Sequence, residues 1–355
     1  MWLGSFLLLA AGALNAGAIY SVVDLGSLGG SSAEAFGLNA SGQAVGAVTT
    51  PFGDVRAFSS SGSGMSNLFE GQAAGVNTSG QIAGTQYIGG DPYATLGSNG
   101  TAQSIAGGYA MAVDDAGDVA GMLANGHAFR TSNGSIDDLG TLPGGAWTAA
   151  YAMNSAGEIA GYGDIGGGTF RGFIWSPGGG YQVLGTLGGM NSYAMAISAT
   201  GEIAGSAQLA NGTIHAFVFN GGTLTDLGTL GGSSYAYGVN DAGEVVGYSM
   251  VGGVDHAFVF VDGTMIDLNS LIPAGWILTE AYAINYSGQI VGSGILNGVE
   301  HAFRLDPIGG AAVTAPEPAA WQLAGIGAAI LIFRSAVRLR LRQRDPRLKL
   351  PQSAA

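Results

Sequence analysis

Four histidines are the side chains best suited to metal binding or acid–base chemistry in this sequence. Each stands first in a His-Ala-Phe triplet, and the four are His127, His215, His256 and His301. Metal ligands have to converge on one point, whereas these residues occupy the same slot of four different repeats, which spreads them apart. The triplets therefore predict a structural role, with each histidine bonded to a neighbouring loop, and no metal site.

Two further motifs resemble ligand-binding loops but lack the residues that such loops need. The run from Asp114 to Asp118 has neither the alternating oxygen ligands nor the closing glutamate of a calcium loop. The glycines at 166–168 have no Lys-Ser or Lys-Thr after them, so they do not form a phosphate-binding loop. No cofactor and no convergent catalytic set is expected, and the chain is predicted not to be an enzyme.

Two connecting segments that depart from the repeat carry the candidate ligand-binding residues. One ends at Trp147 and the other at Trp276, and Glu280 follows shortly after the second. An exposed tryptophan offers a flat apolar surface for a sugar ring, and a nearby carboxylate accepts hydrogen bonds from hydroxyl groups. Trp147, Trp276 and Glu280 are therefore the predicted ligand-binding residues. The alternative is that each tryptophan packs its own loop against a neighbouring repeat.

The distribution of charge excludes one class of partner. Seven of the eleven basic residues lie between Arg334 and Lys349, so residues 20–313 hold 22 acidic and four basic residues, a net charge of −18. A surface this acidic repels a phosphate backbone, and nucleic acid is not expected as a partner. The chain also has no cysteine, which excludes disulfides and thiolate chemistry.

The elements that must position these residues are seven copies of one octad, Asn-x-x-Gly-x-Ile/Val-x-Gly, which start 37 to 45 residues apart. The copies span residues 39–46, 77–84, 114–121, 154–161, 198–205, 240–247 and 285–292, with Asp or Ser at the first position of two of them. Asn followed by Gly three positions later predicts a hairpin turn, because both residues tolerate a positive φ. We call the strands predicted around each octad a repeat, numbered from 1 to 7.

Four short strands fit each repeat. The first precedes the octad, the second is the end of the octad, the third carries His-Ala-Phe or its counterpart, and the fourth alternates apolar and polar residues. Only six fourth strands follow the seven third strands, and the missing one stands at the front, at residues 20–25. The pattern predicts an all-β, seven-bladed β-propeller over residues 19–306, with about 41 residues per blade, closed by the amino-terminal strand. An open β-solenoid is the alternative.

Both ends of the chain have the composition of targeting segments. Residues 1–18 are an apolar run that ends in Ala16-Gly17-Ala18, which predicts a signal peptide; a buried strand is the alternative. Near the other end a linker, 307–318, contains Pro316, Glu317 and Pro318. Residues 319–337 are predicted as a transmembrane helix, and the arginine-rich residues 338–355 as a cytoplasmic tail.

These motifs resemble two known families. The Pro-Glu-Pro triplet, the apolar segment and the arginine cluster resemble the PEP-CTERM sorting signal of Gram-negative bacteria. That resemblance implies cleavage by an exosortase-type enzyme and release from the inner membrane to the cell surface or matrix, alongside exopolysaccharide. An ordinary membrane anchor is the alternative. The octad, the His-Ala-Phe triplet and the recurring Asp-Leu-Gly-Thr-Leu-Gly-Gly segment resemble HAF-type repeats, which implies an extracellular location and no particular activity.

The sequence thus predicts an exported surface or matrix protein whose propeller binds glycan, with exopolysaccharide as a candidate partner, or another surface component. Two alternatives stay open. One is an extracellular glycan hydrolase or lyase that uses carboxylates at the mouth of the propeller. The other is a purely structural matrix component without a ligand.

Overall fold

A computed structural model of the protein describes residues 19–62, 64–98 and 101–308. Its strands are β1 (Tyr20–Gly26), β2 (Ser32–Leu38), β3 (Ala44–Thr49), β4 (Val55–Ser60), β5 (Ser66–Val76), β6 (Ile82–Ile88), β7 (Asp91–Ser98), β8 (Thr101–Val113), β9 (Val119–Leu123), β10 (Ala128–Ser132), β11 (Ser135–Gly140), β12 (Thr148–Met153), β13 (Ile159–Asp164), β14 (Phe170–Ser176), β15 (Gly180–Val183), β16 (Gly188–Ile197), β17 (Ile203–Leu209), β18 (Ile214–Asn220), β19 (Thr223–Asp226), β20 (Ser234–Val239), β21 (Val245–Val251), β22 (Val254–Val261), β23 (Thr264–Asp267), β24 (Trp276–Ile284), β25 (Ile290–Leu296) and β26 (Val299–Pro307).

A single 3₁₀ turn, Leu268–Ser270, is the helical element of this part of the chain. Within the described residues no helix has the length and apolar character needed to cross a membrane. The predicted signal peptide (1–18), the Pro-Glu-Pro motif at 316–318, the predicted transmembrane helix (319–337) and the basic tail (338–355) lie outside those residues.

The strands pair antiparallel in four separate four-stranded sheets and one ten-stranded sheet, β2 to β11. The larger sheet is continuous because β5 and β8 each pair with different strands along their two halves. β5 pairs with β4 as far as Glu70 and with β6 from Gly71, and β8 changes from β7 to β9 between Gly107 and Gly108. The ten-stranded sheet therefore consists of three four-stranded portions, and every octad joins the first two strands of one four-stranded unit.

The strand at the front of the chain completes the sheet of repeat 7, as the count of fourth strands predicts. β1 pairs with β26, with Tyr20 opposite Pro307 and Asp24 opposite Phe303. The backbone amides of Ile19 and Tyr20 also donate to the carbonyl of Leu271, which lies in the connection before β24. One sheet is therefore built from both ends of the described chain.

Each octad forms the predicted hairpin turn, but the asparagine acts through its side chain and not through a positive φ. Only the glycine of the turn has a positive φ, between 72° and 86° in the seven copies. Oδ1 of Asn39 accepts hydrogen bonds from the amides of Ser41 and Gln43, at 3.1 and 3.0 Å. A short polar side chain thereby satisfies amides that the turn leaves without a partner.

The same asparagines join one repeat to the next. Nδ2 of Asn39 donates to the backbone oxygen of Asn77 at 2.9 Å, and Nδ2 of Asn285 donates to that of Asn39 at 3.1 Å. Asn77, Asn154 and Asn240 make the equivalent bond to the next octad, at 2.8, 3.3 and 3.2 Å. We call these five buried bonds the asparagine clasps, and one of them links repeat 7 to repeat 1.

The last glycine of the octad is required by the close approach of the first strand, and in four repeats also by the phenylalanine of the third strand. Gly205 lies opposite Phe217, and a Cβ on Gly205 would lie 3.0 Å from the Phe217 ring and 2.0 Å from the carbonyl oxygen of Tyr193. The phenylalanines at this position are fully buried between sheets, and they are Phe58, Phe129, Phe173, Phe217, Phe258 and Phe303. The octad therefore ends in glycine for steric reasons.

Candidate functional site

One residue in the first strand of every repeat is displaced from the strand pairing. Three positions before each octad, the register skips a residue and forms a β-bulge. The seven skipped residues, at most 4% exposed, are Phe36, Ala74, Met111, Tyr151, Met195, Tyr237 and Tyr282. All seven belong to one hydrophobic cluster. A bulge turns a side chain away from the regular alternation, and here it directs one residue of each repeat to a common centre, which we call the bulge layer.

A second layer of side chains lies two residues earlier on the same strands, on the same face because residues two apart in a strand share a face. Its members are Glu34, Gln72, Tyr109, Ala149, Tyr193, Tyr235 and Glu280. Ala149 belongs to the central cluster, and the three tyrosines pack against it. Most of these residues are partly exposed, so we call them the mouth layer.

Two carboxylates of the mouth layer meet at one phenol of the bulge layer. The Tyr282 hydroxyl donates a 2.6 Å hydrogen bond to Oε2 of Glu280 and lies 3.4 Å from Oε2 of Glu34. Glu280 and Glu34 stand on the first strands of repeats 7 and 1, far apart in sequence. Their two oxygens are therefore no farther apart than the sum of these distances.

The electrostatics of this end favour a protonated Glu34. The pKa of Glu34 is raised to about 8, chiefly by burial and then by the carboxylates of Glu300 and Glu280, against a smaller lowering by the Tyr282 hydrogen bond. Burial also raises the pKa of Glu300, which hydrogen-bonds to Ser293. Carboxyl groups that share a poorly solvated site cannot all ionise cheaply, so Glu34 holds a proton at neutral pH.

Aromatic rings line the mouth beside these acids. Tyr235 stacks on Tyr248 with ring centres 4.8 Å apart, and Tyr237 of the bulge layer lies 5.7 Å from Tyr248 and 5.4 Å from Tyr282. The carboxylates of Glu280 and Asp255 raise the pKa of the Tyr248 phenol, after the larger effect of burial. Phenols and carboxyls therefore share this side of the site.

A second aromatic group borders the mouth layer on repeats 4 and 5. The Trp147 ring lies 5.5 Å from Tyr162 and 5.7 Å from Phe170, and Tyr162 lies 4.9 Å from Tyr193 of the mouth layer. The Asp164 carboxylate accepts hydrogen bonds from the amides of Ala146 and Trp147, which fixes the loop that carries the tryptophan.

The three predicted ligand-binding residues lie in two different places. Glu280 is at the centre of the mouth layer, and Trp147 borders it. Trp276 instead lies edge-on to His301 and Phe303, with ring centres 6.1 and 6.3 Å away, and packs against the apolar core between repeats 6 and 7. The structure thus brings Trp147 and Glu280 to one end of the molecule and sets Trp276 in the packing of its own loop.

The mouth also holds two buried polar atoms without hydrogen-bond partners. Gln72 is 8% exposed and Thr85, opposite it on the next strand, is 1% exposed. Within the described residues, Oε1 of Gln72 and Oγ1 of Thr85 have no partner. A buried acceptor left unpaired costs about 1–3 kcal/mol, so these atoms indicate a place where a donor is missing.

The four histidines each pair with one aspartate of the adjacent fourth strand. The pairs, with Nδ1 to carboxylate distances of 2.7 to 2.9 Å, are His127 with Asp138, His215 with Asp226, His256 with Asp267 and His301 with Asp24. They are spread over four sheets, and in the part of the chain that the structure describes no three acidic or histidine side chains are arranged to hold a metal ion. The partner is thus a strand end, slightly different from the predicted loop.

Four residues of this end are not predicted as site residues from the sequence: Glu34, Gln72, Tyr282 and Glu300. Three of them hold positions three or five residues before an octad, where other repeats carry tyrosine, alanine or methionine. Superposing the seven repeats would have shown that these columns vary while the octad does not. Glu300, on the third strand, has no such signal.

The class of protein defined by these four-stranded units around a common centre is the β-propeller. Among solved structures the chain is similar to the β-propeller domain of the Trilobed protease from Pyrococcus furiosus, with a TM-score of 0.51 and 9% identity over 76% of this chain and 91% of that one. It is also similar to a puromycin-hydrolyzing peptidase from Mycobacterium tuberculosis, with a TM-score of 0.50 and 11% identity over 78% of this chain and 52% of that one.

A third similar structure is TolB from Acinetobacter baumannii, with a TM-score of 0.45 and 14% identity over 68% of this chain and 63% of that one. The chain thus spans less than two thirds of the length of TolB and of the peptidase. No family model and no curated protein matches it. At these identities the likeness concerns the fold alone.

Proposed function

We propose that the seven repeats are the seven blades of a closed propeller and that its mouth layer binds glycan without catalysis. The ring is supported by the pairing of β1 with β26 and by the asparagine clasp from Asn285 to Asn39. A further bond runs from the Arg304 guanidinium to the carbonyl of Gly42, again between repeats 7 and 1. An open solenoid would leave these contacts without a reason.

The observation that carries the binding proposal is the composition of the mouth layer. Repeats that are otherwise alike differ here, and the varying positions hold tyrosines, glutamates and a glutamine above an apolar floor. Aromatic faces stack on sugar rings, while carboxyl and amide groups bond to hydroxyls. A site is needed once and a scaffold seven times, so function is expected where the repeats diverge.

The test is glycan binding measured by calorimetry and on an array that includes the producer's own exopolysaccharide. Trp147→Ala and Tyr235→Ala should each weaken binding about tenfold, since a stacked ring contributes about 1–3 kcal/mol. Tyr181→Ala is the matched control, because Tyr181 packs edge-on to Phe173 at a distance from the mouth. An array on which no glycan binds would refute the proposal and favour a purely structural matrix component.

The export of the protein is part of the proposal and is supported by the sequence motifs at both ends. We propose a signal peptide over residues 1–18, cleavage by an exosortase-type enzyme near Pro316, Glu317 and Pro318, and release to the cell surface or matrix of a Gram-negative bacterium. Mass spectrometry of the mature carboxy terminus from cell and medium fractions tests it. A terminus near Glu317 is expected, and an intact Ala355 end would refute sorting.

A second candidate function, hydrolysis of a glycoside, is favoured by the carboxyl pair. A protonated Glu34 has the state of a general acid, and Glu280 would act as nucleophile or base. Their oxygens, bounded by the two distances to Tyr282, lie nearer the roughly 5–5.5 Å of retaining glycosidases than the roughly 6.5–9.5 Å of inverting ones. Mass spectrometry of oligosaccharides after incubation decides: cleavage that Glu34→Gln abolishes supports this function, and intact oligosaccharides exclude it.

A further inference from the structure

The hydrogen-bonding groups at the mouth are chiefly acceptors. The carboxylates of Glu280 and Glu300 and the amide oxygen of Gln72 accept hydrogen bonds, so a ligand bound to them has to donate. Glu280 already accepts the Tyr282 hydroxyl, and a carboxylate has room for further donors. The mouth therefore favours a ligand rich in N–H or O–H groups over one rich in oxygen acceptors.

The charge of the mouth is negative and is not balanced locally. Among the described residues, the groups that shift the pKa of Glu34 are carboxylates and a phenol, with no basic side chain. Of the four arginines of the body, Arg130 pairs with Asp137, Arg304 pairs with Asp306 and Arg171 donates to the carbonyls of Phe170 and Met190. None of the four is among the groups that shift the pKa of Glu34. Poorly solvated carboxyls that repel one another are stabilised by a bound cation.

The aromatic rings beside the acids favour the same charge. Tyr235 and Tyr248, both partly exposed, stack on each other beside Glu280, whose carboxylate acts on the Tyr248 phenol. The outer face of such a phenol ring attracts a cation. Rings and carboxylates together therefore suit an organic cation better than a neutral sugar alone.

An independent observation marks the same place as a ligand site. Gln72 belongs to the mouth layer of repeat 2, next to Glu34 of repeat 1, and its side chain is more than nine-tenths buried with Oε1 unpartnered. Thr85, its cross-strand neighbour, has an unpartnered hydroxyl as well. Ala74, two positions after Gln72 on the same strand, belongs to the bulge layer and the central cluster. An N–H donor from a ligand would satisfy the Gln72 oxygen.

We propose that the mouth binds glycan through free amino groups, so that its ligand is a cationic amino-sugar polymer and not a neutral or acidic one. This inference rests on the proposed function and narrows its ligand class. The ammonium groups would lie among Glu34, Glu280 and Glu300, and the sugar rings would stack on the tyrosines. An acidic polymer would meet the carboxylates with like charge.

The experiment compares three oligosaccharides of equal length on the mature protein purified from the producing cells, by calorimetry near pH 6. They are an oligomer of glucosamine, the same oligomer with every amine acetylated, and an oligomer of glucose. We expect the free amine form to bind about tenfold or more tightly than the other two, as for hydrogen bonds to charged groups. Added salt should weaken its binding, because screening acts on the charge pairing.

One variant locates the site. Glu280→Gln should reduce affinity for the amine oligomer by about tenfold and leave the acetylated oligomer little changed. Glu202→Gln is the matched control, since Glu202 lies beside an octad turn at the other end of the propeller and should leave both affinities unchanged. Circular dichroism confirms that each variant is folded.

The outcomes separate this inference from the function on which it rests. Equal affinity for the acetylated and free amine oligomers would overturn the amino-group proposal and leave glycan binding standing. Absence of binding to every oligosaccharide would overturn both. Equal affinity for spermidine and for the amine oligomer would show recognition of amines without the sugar and would also overturn it.

Discussion

The two ends of the first strands differ in how their polar groups are paired. At the octad end, asparagine side chains satisfy the turn amides and donate to the next repeat, so the polar groups there are paired and the residues repeat. At the mouth end, carboxyls crowd one another and Gln72 and Thr85 keep unpaired atoms. The octad end thus uses its polar groups to join neighbouring repeats, whereas the mouth leaves two buried polar atoms without a hydrogen-bond partner among the described residues.

Two of the seven octads lack the side-chain amide that an asparagine clasp requires. Asp114 and Ser198 stand where the other octads have asparagine and have no Nδ2 to donate. Beside Ser198, the Asp241 carboxylate accepts a 2.7 Å hydrogen bond from the amide of Ala199 and so joins repeats 5 and 6 by another route. The junction is maintained although the residue changes, which marks it as structural.

The largest effect should come from removing the space beneath a buried phenylalanine. Gly205→Ala would place a Cβ 2.0 Å from the carbonyl oxygen of Tyr193, so the strand must shift, and we expect a loss of more than about 3 kcal/mol of unfolding free energy. Urea unfolding measures it. Gly185→Ala is the control, since a Cβ there meets nothing within 4 Å. Equal stability of the two variants would contradict the steric explanation of the octad.

A smaller loss should follow from opening one clasp. Asn285→Ala removes both the bond to repeat 1 and the acceptor of the turn amide of Gln289, which should cost about 2–3 kcal/mol. Asn285→Asp keeps the acceptor, removes the donor and repeats what nature has at Asp114, so it should cost less, about 1–2 kcal/mol. If the two variants are equally unstable in urea, the donor alone carries the effect.

The free energy of unfolding should depend on pH through Glu34. The pKa of Glu34 is raised from 4.5 to about 8, so between these values the unfolded chain ionises Glu34 and the folded chain does not. The folded state therefore loses stability as pH rises through this window. Glu34→Gln cannot ionise, and its Tm should exceed that of the parent by about 5 °C at pH 9 and match it below about pH 4.5. An equal Tm at pH 9 would show that the site is not crowded by charge.

The smallest effect should come from the histidine pairs. His301→Ala removes the bond to Asp24 between β26 and β1, but both side chains are partly exposed, at 20% and 41%. Such pairs contribute about 0–1 kcal/mol, and urea unfolding should show a loss within that range. A loss as large as that of Asn285→Ala would mean that the β1 junction depends on this pair.

The structural features that recur in every repeat can be predicted from the sequence. The octads locate the turns, the phenylalanines locate the core, and the missing fourth strand locates β1, because each depends on local spacing. The mouth depends on a β-bulge in each first strand. A bulge is defined only by the pairing of two strands, so the spacing of residues around Tyr282 does not predict it. Glu34 and Glu280 lie 246 positions apart and meet only because the first strands of repeats 1 and 7 are neighbours in the fold. The prediction for Trp276 rested on its longer connecting segment, and the structure packs its ring against His301 and Phe303.

β1 and β26 pair with each other although they are synthesised at different times. Their pairing joins residues as distant as Ser21 and Asp306, 285 positions apart, so residues 20–26 leave a ribosome or a translocation pore long before their partner strand exists. Until then they form a solitary edge that another chain could pair with, and the last sheet cannot be completed by a truncated product. The pairing of β1 with β26 can therefore form only in a chain that has emerged through residue 307.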